Sequence, residues 1–147
     1  MVPKFLVVDD DAEARTLMSA MLESLGCESE TAASGEESLK ILKEPSKAGQ
    51  FDAIFLDIMM PGMSGLDVLR ELKLMPHTKE LPILMLTCLG SSEDIVKGYQ
   101  GGADYYIPKP FTKDQVVYGL DMVLGEQQQE EDGEEKKETP THFLPEA

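Results

Sequence analysis

No tryptophan occurs in the 147 residues, and there are only two cysteines and two histidines. Cys27 and Cys88 stand far apart, with neither a CxxC pair nor a Cys/His cluster. That spacing excludes a zinc finger and a disulfide framework and predicts two reduced, largely buried thiols. Basic residues are scarce as well: 13 Lys and Arg face 28 Asp and Glu, a net charge of −15. Phosphate contacts demand clustered Lys and Arg, so direct binding to nucleic acid is excluded. No apolar run approaches the ~20 residues that cross a bilayer, and the N-terminus lacks the charged and apolar regions of a signal peptide. The chain is therefore expected in the cytoplasm, away from membranes. A Gly-rich phosphate loop is also missing, which argues against a bound nucleotide.

What is present is ordinary for one globular domain: 41% hydrophobic residues in a length that supports a single core. The charge is uneven. Residues 126–147 hold eight acids and two lysines, and residues 1–125 hold twenty acids and eleven bases. The expected domain is 1–125. The stretch EQQQEEDGEEKKE that begins at Glu126 is polar and acidic with no apolar face, a disordered composition. The closing TPTHFLPEA places Phe143 and Leu144 between two prolines and is read as a solvated tail or linker.

Short apolar runs alternate with helical patterns along 1–125. Strands are predicted at Lys4–Val8, Cys27–Ala32, Phe51–Asp57, Leu81–Leu86 and Ala103–Ile107. Between them, Ala14, Leu17, Met18, Met21, Leu22 and Leu25 form one amphipathic helical stripe, capped by Asp10 or Asp11 and stopped by Gly26. A second helix opens at Ser34 or Gly35 and closes at Pro45, and a third is capped by Ser64 and ended by Pro76. A fourth starts at Ser91 or Ser92 with Ile95, Val96 and Tyr99. The last is capped by Thr112, with Val116, Val117, Leu120, Met122, Val123 and Leu124 inward. Five such alternations predict an α/β fold with a parallel sheet and helices on both faces. The order 2-1-3-4-5, a flavodoxin-like (βα)5 arrangement, brings strands 1 and 3 together at the switch point, and both end in acids.

That convergence is where chemistry is expected. Asp9 and Asp10 end the first strand, Asp57 the third, Thr87 the fourth and Lys109 follows the fifth. Parallel strands present these ends on one edge. Two unit charges about 4 Å apart interact by about 4 kcal/mol at an effective dielectric of about 20. Three clustered carboxylates therefore favour a hard divalent cation, and an oxygen-only donor set points to Mg²⁺ or Mn²⁺. With an ammonium and a hydroxyl beside it, the arrangement has the parts that phosphoryl transfer to an aspartate requires.

The blocks VVDDD (7–11), LDIMMPGMSG (56–65), the strand-end Thr87 and GADYYIPKPF (102–111) together resemble the receiver domain of two-component response regulators, over residues 4–125. The resemblance implies that Asp57 is the phosphoacceptor for a histidine kinase or a histidine phosphotransfer protein. It implies Mg²⁺ held by Asp10, Asp57 and the Met59 backbone carbonyl, with Asp9 helping through water. Lys109 would pair with the phosphoryl oxygens, Thr87 would swing in to hydrogen-bond them, and Tyr106 would turn inward with Thr87. The Lys109-Pro110 peptide would be cis. Output would leave through the fourth helix, fifth strand and fifth helix, at Ile95 to Tyr99, Tyr105 and Lys113 to Val117, toward a downstream protein or a second receiver. No turnover beyond the chain's own phosphorylation and dephosphorylation is implied.

Two other readings compete. Asp9-Asp10-Asp11 also reads as the D-x-D of a haloacid-dehalogenase-type phosphatase, and an acidic face suits a phosphorylation-independent binding module. Three details depart from the commonest receiver pattern: Cys88 after Thr87, the apolar Met59 and Leu89 two residues beyond Asp57 and Thr87, and Pro108 before Lys109. His77 and His142 are isolated, and neither is placed to carry a phosphoryl group.

Overall fold

The computed structural model describes residues 2–88, 96–97 and 99–129. Five strands, β1 (Lys4–Val8), β2 (Glu28–Ala32), β3 (Ala53–Asp57), β4 (Ile83–Cys88) and β5 (Tyr105–Lys109), form one sheet in the order β2-β1-β3-β4-β5. All four neighbouring pairs are parallel. Helices α1 (Ala12–Ser24), α2 (Gly35–Leu42), α3 (Pro45–Ala48), α4 (Gly65–Leu74) and α5 (Lys113–Gln129) cover it. Val96, Lys97, Tyr99 and Gln100 are helical too, while Ser91, Ser92 and Ile95 of the predicted fourth helix lie outside the described residues. The helix α5 runs to Gln129, four residues into the stretch read as tail, and residues 130–147 are likewise not described.

The predicted caps set the helix starts. Asp11 accepts from Glu13 N at 3.0 Å to begin α1, and Ser34 accepts from Glu37 N at 3.1 Å to begin α2. Ser64 and Asp67 make a reciprocal capping box at the head of α4. Thr112 and Gln115 exchange the same pair of bonds before α5. Ser64's backbone N–H holds the Asp67 carboxylate below the usual carboxylate range, as an acid in a helix's first turn should be.

Alternation along the strands divides the core in two. Leu6, Val8, Ile54, Leu56, Met85 and Tyr106 pack on the α2 and α4 side. Phe5, Val7, Phe55, Leu86, Tyr105 and Ile107 pack on the α1 and α5 side. The central strand β3 is buried at all five positions, the near-continuous apolar run of a strand covered on both faces. The edge strand β2 is mostly exposed.

Several sequence expectations shift. The strands β4 and β5 start two residues later than predicted. Pro82 has no N–H to donate, and the ladder opens with Ile83 N donating to the Asp104 carboxylate at 2.9 Å. Pro108 lies inside β5, which tolerates it because β5 is an edge strand. Pro45 does not simply end α2; it sits at the start of α3, where its missing N–H costs nothing. Cys88 is exposed rather than buried, because it is the last residue of β4. Tyr105 is also not on the surface: it is 1% exposed and lies against α5, where a Cβ on Gly119 would stand 3.0 Å from its ring.

Candidate functional site

At the carboxyl edge of the sheet, β1 and β3 lie side by side and deliver their terminal acids to one place. Carboxylate oxygens of Asp9, Asp10 and Asp57 all lie within 4.8 Å of one another. Asp9 is fully buried and Asp57 is 3% exposed, whereas Asp10 is exposed. The strand β5 supplies the opposing charge: Lys109 Nζ lies 2.7 Å from Asp9 Oδ2 and 3.3 Å from Asp57 Oδ2. The Lys109-Pro110 peptide that follows is cis, as the resemblance implied.

Asp9 is held on every side. Its N–H donates to the Ala32 carbonyl at 3.1 Å, its Oδ1 accepts from Asp11 N at 3.0 Å, and its carbonyl accepts from Arg15 Nη1 at 2.8 Å. The contact with Lys109 is an ion pair out of hydrogen-bond alignment, which leaves the buried Oδ2 of Asp9 without an aligned donor. Burial pushes the pKa of Asp57 up to about 7, and the Asp9 charge adds to this while Lys109 opposes it. Burial alone would lower the pKa of Lys109, but the Asp9 and Asp57 carboxylates outweigh it and raise it. Three acids facing one ammonium, with one buried carboxylate oxygen lacking an aligned donor, fit a divalent cation on oxygen ligands.

The loop after β3 keeps this edge open. Gly65 N donates to the Ile58 carbonyl at 2.8 Å and turns the chain into α4. A Cβ at Gly65 would run into the Asp57 carbonyl oxygen, far inside contact distance. Gly65→Ala is therefore expected to destabilise the fold by about 1–3 kcal/mol or more and to displace Asp57, which urea unfolding and cation titration would read.

The other sequence-predicted residues are placed less directly. Thr87 is buried, and its Oγ1 donates to the Cys88 carbonyl at 3.0 Å rather than pointing to a carboxylate. Tyr106 is fully buried, with its ring 4.8 Å from that of Tyr99. Met59 is 67% exposed. Leu89 lies outside the described residues. Arg15, on the carbonyl of Asp9, went unnoticed in the sequence, which carries no local signal for it.

A parallel α/β sheet with an acid pocket and a lysine at its carboxyl edge defines the class, and comparison with known proteins defines the family. Residues 5–121 match the model of the response regulator receiver domain. The chain is 38% identical over 134 residues to the transcriptional regulatory protein CpxR of Escherichia coli (strain K12), covering 88% of this chain and 54% of that protein. It is 36% identical over 124 residues to the phosphate regulon transcriptional regulatory protein PhoB of Rhizobium meliloti (strain 1021), covering 84% of this chain and 53% of that one. The chain thus spans about half the length of the curated relatives it matches. Among solved structures, the chemotaxis protein CheY4 of Vibrio cholerae superposes with a TM-score of 0.75 at 34% identity, over 82% of this chain and 98% of that one. A CheY-like receiver domain protein of Methanospirillum hungatei JF-1 gives 0.76 at 30% identity, over 88% and 99%. The chain belongs to the response regulator receiver domain family. Among the described residues, no helix is long and apolar enough to cross a membrane.

Proposed function

We propose that residues 1–125 form a phosphorylation-switched signalling unit in which Asp57 accepts a phosphoryl group from the phosphohistidine of a histidine kinase or phosphotransfer protein. The observation that carries this reading is the juxtaposition of Asp57, Asp9, Asp10 and Lys109 on one edge of the sheet. Asp10, Asp57 and the carbonyl of Met59 would hold Mg²⁺, with Asp9 helping through water. When bound, the cation supplies positive charge opposite the phosphoryl oxygens.

An ionised oxygen of Asp57 attacks phosphorus, the new O–P bond forms, and the P–N bond to the donor imidazole breaks with its electron pair leaving on nitrogen. Lys109 stays protonated, since the paired acids raise its pKa, and it offers an ammonium to the transferred group. The product carries about −1.5 to −2 charges on the phosphoryl oxygens where the carboxylate carried one, so a site that is already acidic becomes more so. Thr87 gives up its bond to the Cys88 carbonyl and donates to a phosphoryl oxygen instead; Tyr106, expected to turn inward with it, is already buried against Tyr99 and makes no such turn. The changed surface comprises the helical residues 96–97 and 99–100, β5 and α5, and it meets a downstream protein or a second receiver. The chain catalyses only its own phosphorylation and dephosphorylation.

Incubation with acetyl phosphate and Mg²⁺ is expected to add one phosphoryl group, mapped to Asp57 by peptide mass spectrometry and prevented by EDTA. An adduct that forms equally in EDTA, or maps elsewhere, overturns the reading. The lifetime of the adduct is a separate expectation. Met59 and Leu89 offer no polar side chain to orient an attacking water, so phospho-Asp57 is expected to persist for minutes or longer. A half-life of a few seconds after removal of the phosphodonor would contradict it.

A further inference from the structure

A groove of about 340 Å³ runs along α4, between it and Lys97 and Gly101. Leu66, Leu69 and Leu74 give it an aliphatic floor, and Arg70, Lys73 and Lys97 stand around it. Leu74 is 72% exposed, a large apolar side chain left in water at the end of a helix. Residues 1–125 carry only eleven bases against twenty acids, so three cations around one apolar groove form a local reversal of the protein's charge. Such a lining fits an occupant that is acidic and apolar within one short segment.

The chain contains such a segment. Five of the six residues 130–135 are acids, and Phe143-Leu144 follows eight positions later. We propose that the groove along α4 docks this chain's own residues 130–147, with the acids of 130–135 on the rim cations and Phe143 and Leu144 on the aliphatic floor. The topology favours this in three ways. Crossover helices run antiparallel to the strands, so the end of α5, the end of α4 and the approach to β5 at Gly101 all lie on the edge opposite the acid pocket. Gln129, the last described residue of α5, therefore lies toward the same edge as Leu74 and Gly101, on the other face of the sheet. Reach is not limiting: fourteen residues from Gln129 to Phe143 span up to about 46 Å, against a radius of gyration of about 14 Å for a domain of this size. Tethering also sets an effective concentration on the order of millimolar, so individually weak contacts suffice.

Arg70 and Lys73 retain donors for this role. Arg70 uses one on Asp67 at 3.3 Å, an exposed pair, and Lys73 uses one on the Lys79 carbonyl at 3.0 Å. An arginine has five donors and a lysine three.

The test uses the full chain, and neither of its readouts depends on phosphoryl transfer. Carbodiimide, which joins an amine directly to a carboxylate, is expected to link Lys73 and Lys97 to carboxylates in 130–135 within monomers. The yield should not change with protein concentration and should fall in high salt. In parallel, Phe143→Ser with Leu144→Ser is expected to shift the methyl resonances of Leu66, Leu69 and Leu74 while leaving those of Leu6 and Leu86 in place. Three results would overturn the proposal. Cross-links spread as heavily over Lys4, Lys40 and Lys43 would mean a solvated tail. Links confined to dimers and rising with concentration would give the groove to a second copy. Unmoved methyls in the double variant would leave the floor empty.

Discussion

Asp57→Asn is expected to gain no phosphoryl group from acetyl phosphate under conditions in which the wild-type chain gains one, as read by intact mass. An amide offers no anionic oxygen, so the nucleophile is lost while the side-chain volume is kept. The neighbouring acids are poor substitutes for different reasons. Asp9 has no exposed surface, its Oδ1 accepts from Asp11 N, and its Oδ2 lies 2.7 Å from the ammonium of Lys109. Asp10 is exposed, but its place in the cluster suits a cation ligand. The expected loss is therefore complete within detection, and Lys109 should remain folded against Asp9. The same measurement discriminates the phosphatase-like arrangement, in which the first acid of Asp9-Asp10-Asp11 would carry the group. An adduct on Asp9 in either protein would overturn the assignment to Asp57. Asp10→Asn is a useful companion, because it should raise the Mg²⁺ concentration needed for uptake without moving the site of modification.

The second large effect concerns stability and pH. In cation-free protein, the folded pKa of Asp57 stands at about 7 against an ordinary value of 3.8, chiefly because the carboxyl is buried. Between those values the folded state holds a proton that the unfolded chain has released. Stability therefore falls as pH rises through that window, and above about 7 the full cost of a buried charge is present. Each pKa unit corresponds to about 1.4 kcal/mol, and allowing for coupling to Asp9 and Lys109 the expected loss from about pH 4 to about pH 8 is on the order of 2 kcal/mol. Asp57→Asn should lie close to wild type at the acid end and be more stable by that amount at the basic end. Saturating Mg²⁺ should restore the wild type, by about 2.7 kcal/mol at a hundredfold excess over its Kd. Urea unfolding at the two pH values, with EDTA and with Mg²⁺, reads all of this. A flat wild-type profile, or an Asn variant less stable than wild type at the basic end, would count against the burial account.

Much of the arrangement was legible because the chemistry and the punctuation coincide. Apolar runs that terminate in Asp9-Asp10 and in Asp57 announce both a strand and the edge it reaches. The caps Asp11, Ser34, Ser64 and Thr112 announce where each helix starts. Bonds made at a distance were not legible. That Tyr105 would be covered depends on α5 presenting Gly119 at that point, a register no local pattern carries. Whether Thr87 faces a carboxylate or the carbonyl of Cys88 is a rotamer choice made by its surroundings. Pro45 is ambiguous by nature, since the ring that ends one helix is well suited to begin another. The inclusion of Arg15 beside the acids required knowing that α1 returns over the end of β1.

The strand β2 has a consequence for the protein's behaviour in a crowded cell. It forms one border of the sheet, where unpaired backbone groups invite another chain to add on. Glu28 and Glu30 stand exposed there, with Lys4 reaching Glu30 from the strand beside it at 3.2 Å. Like charges would meet if two such borders approached each other. That repulsion guards the domain against fibril-like stacking along this border.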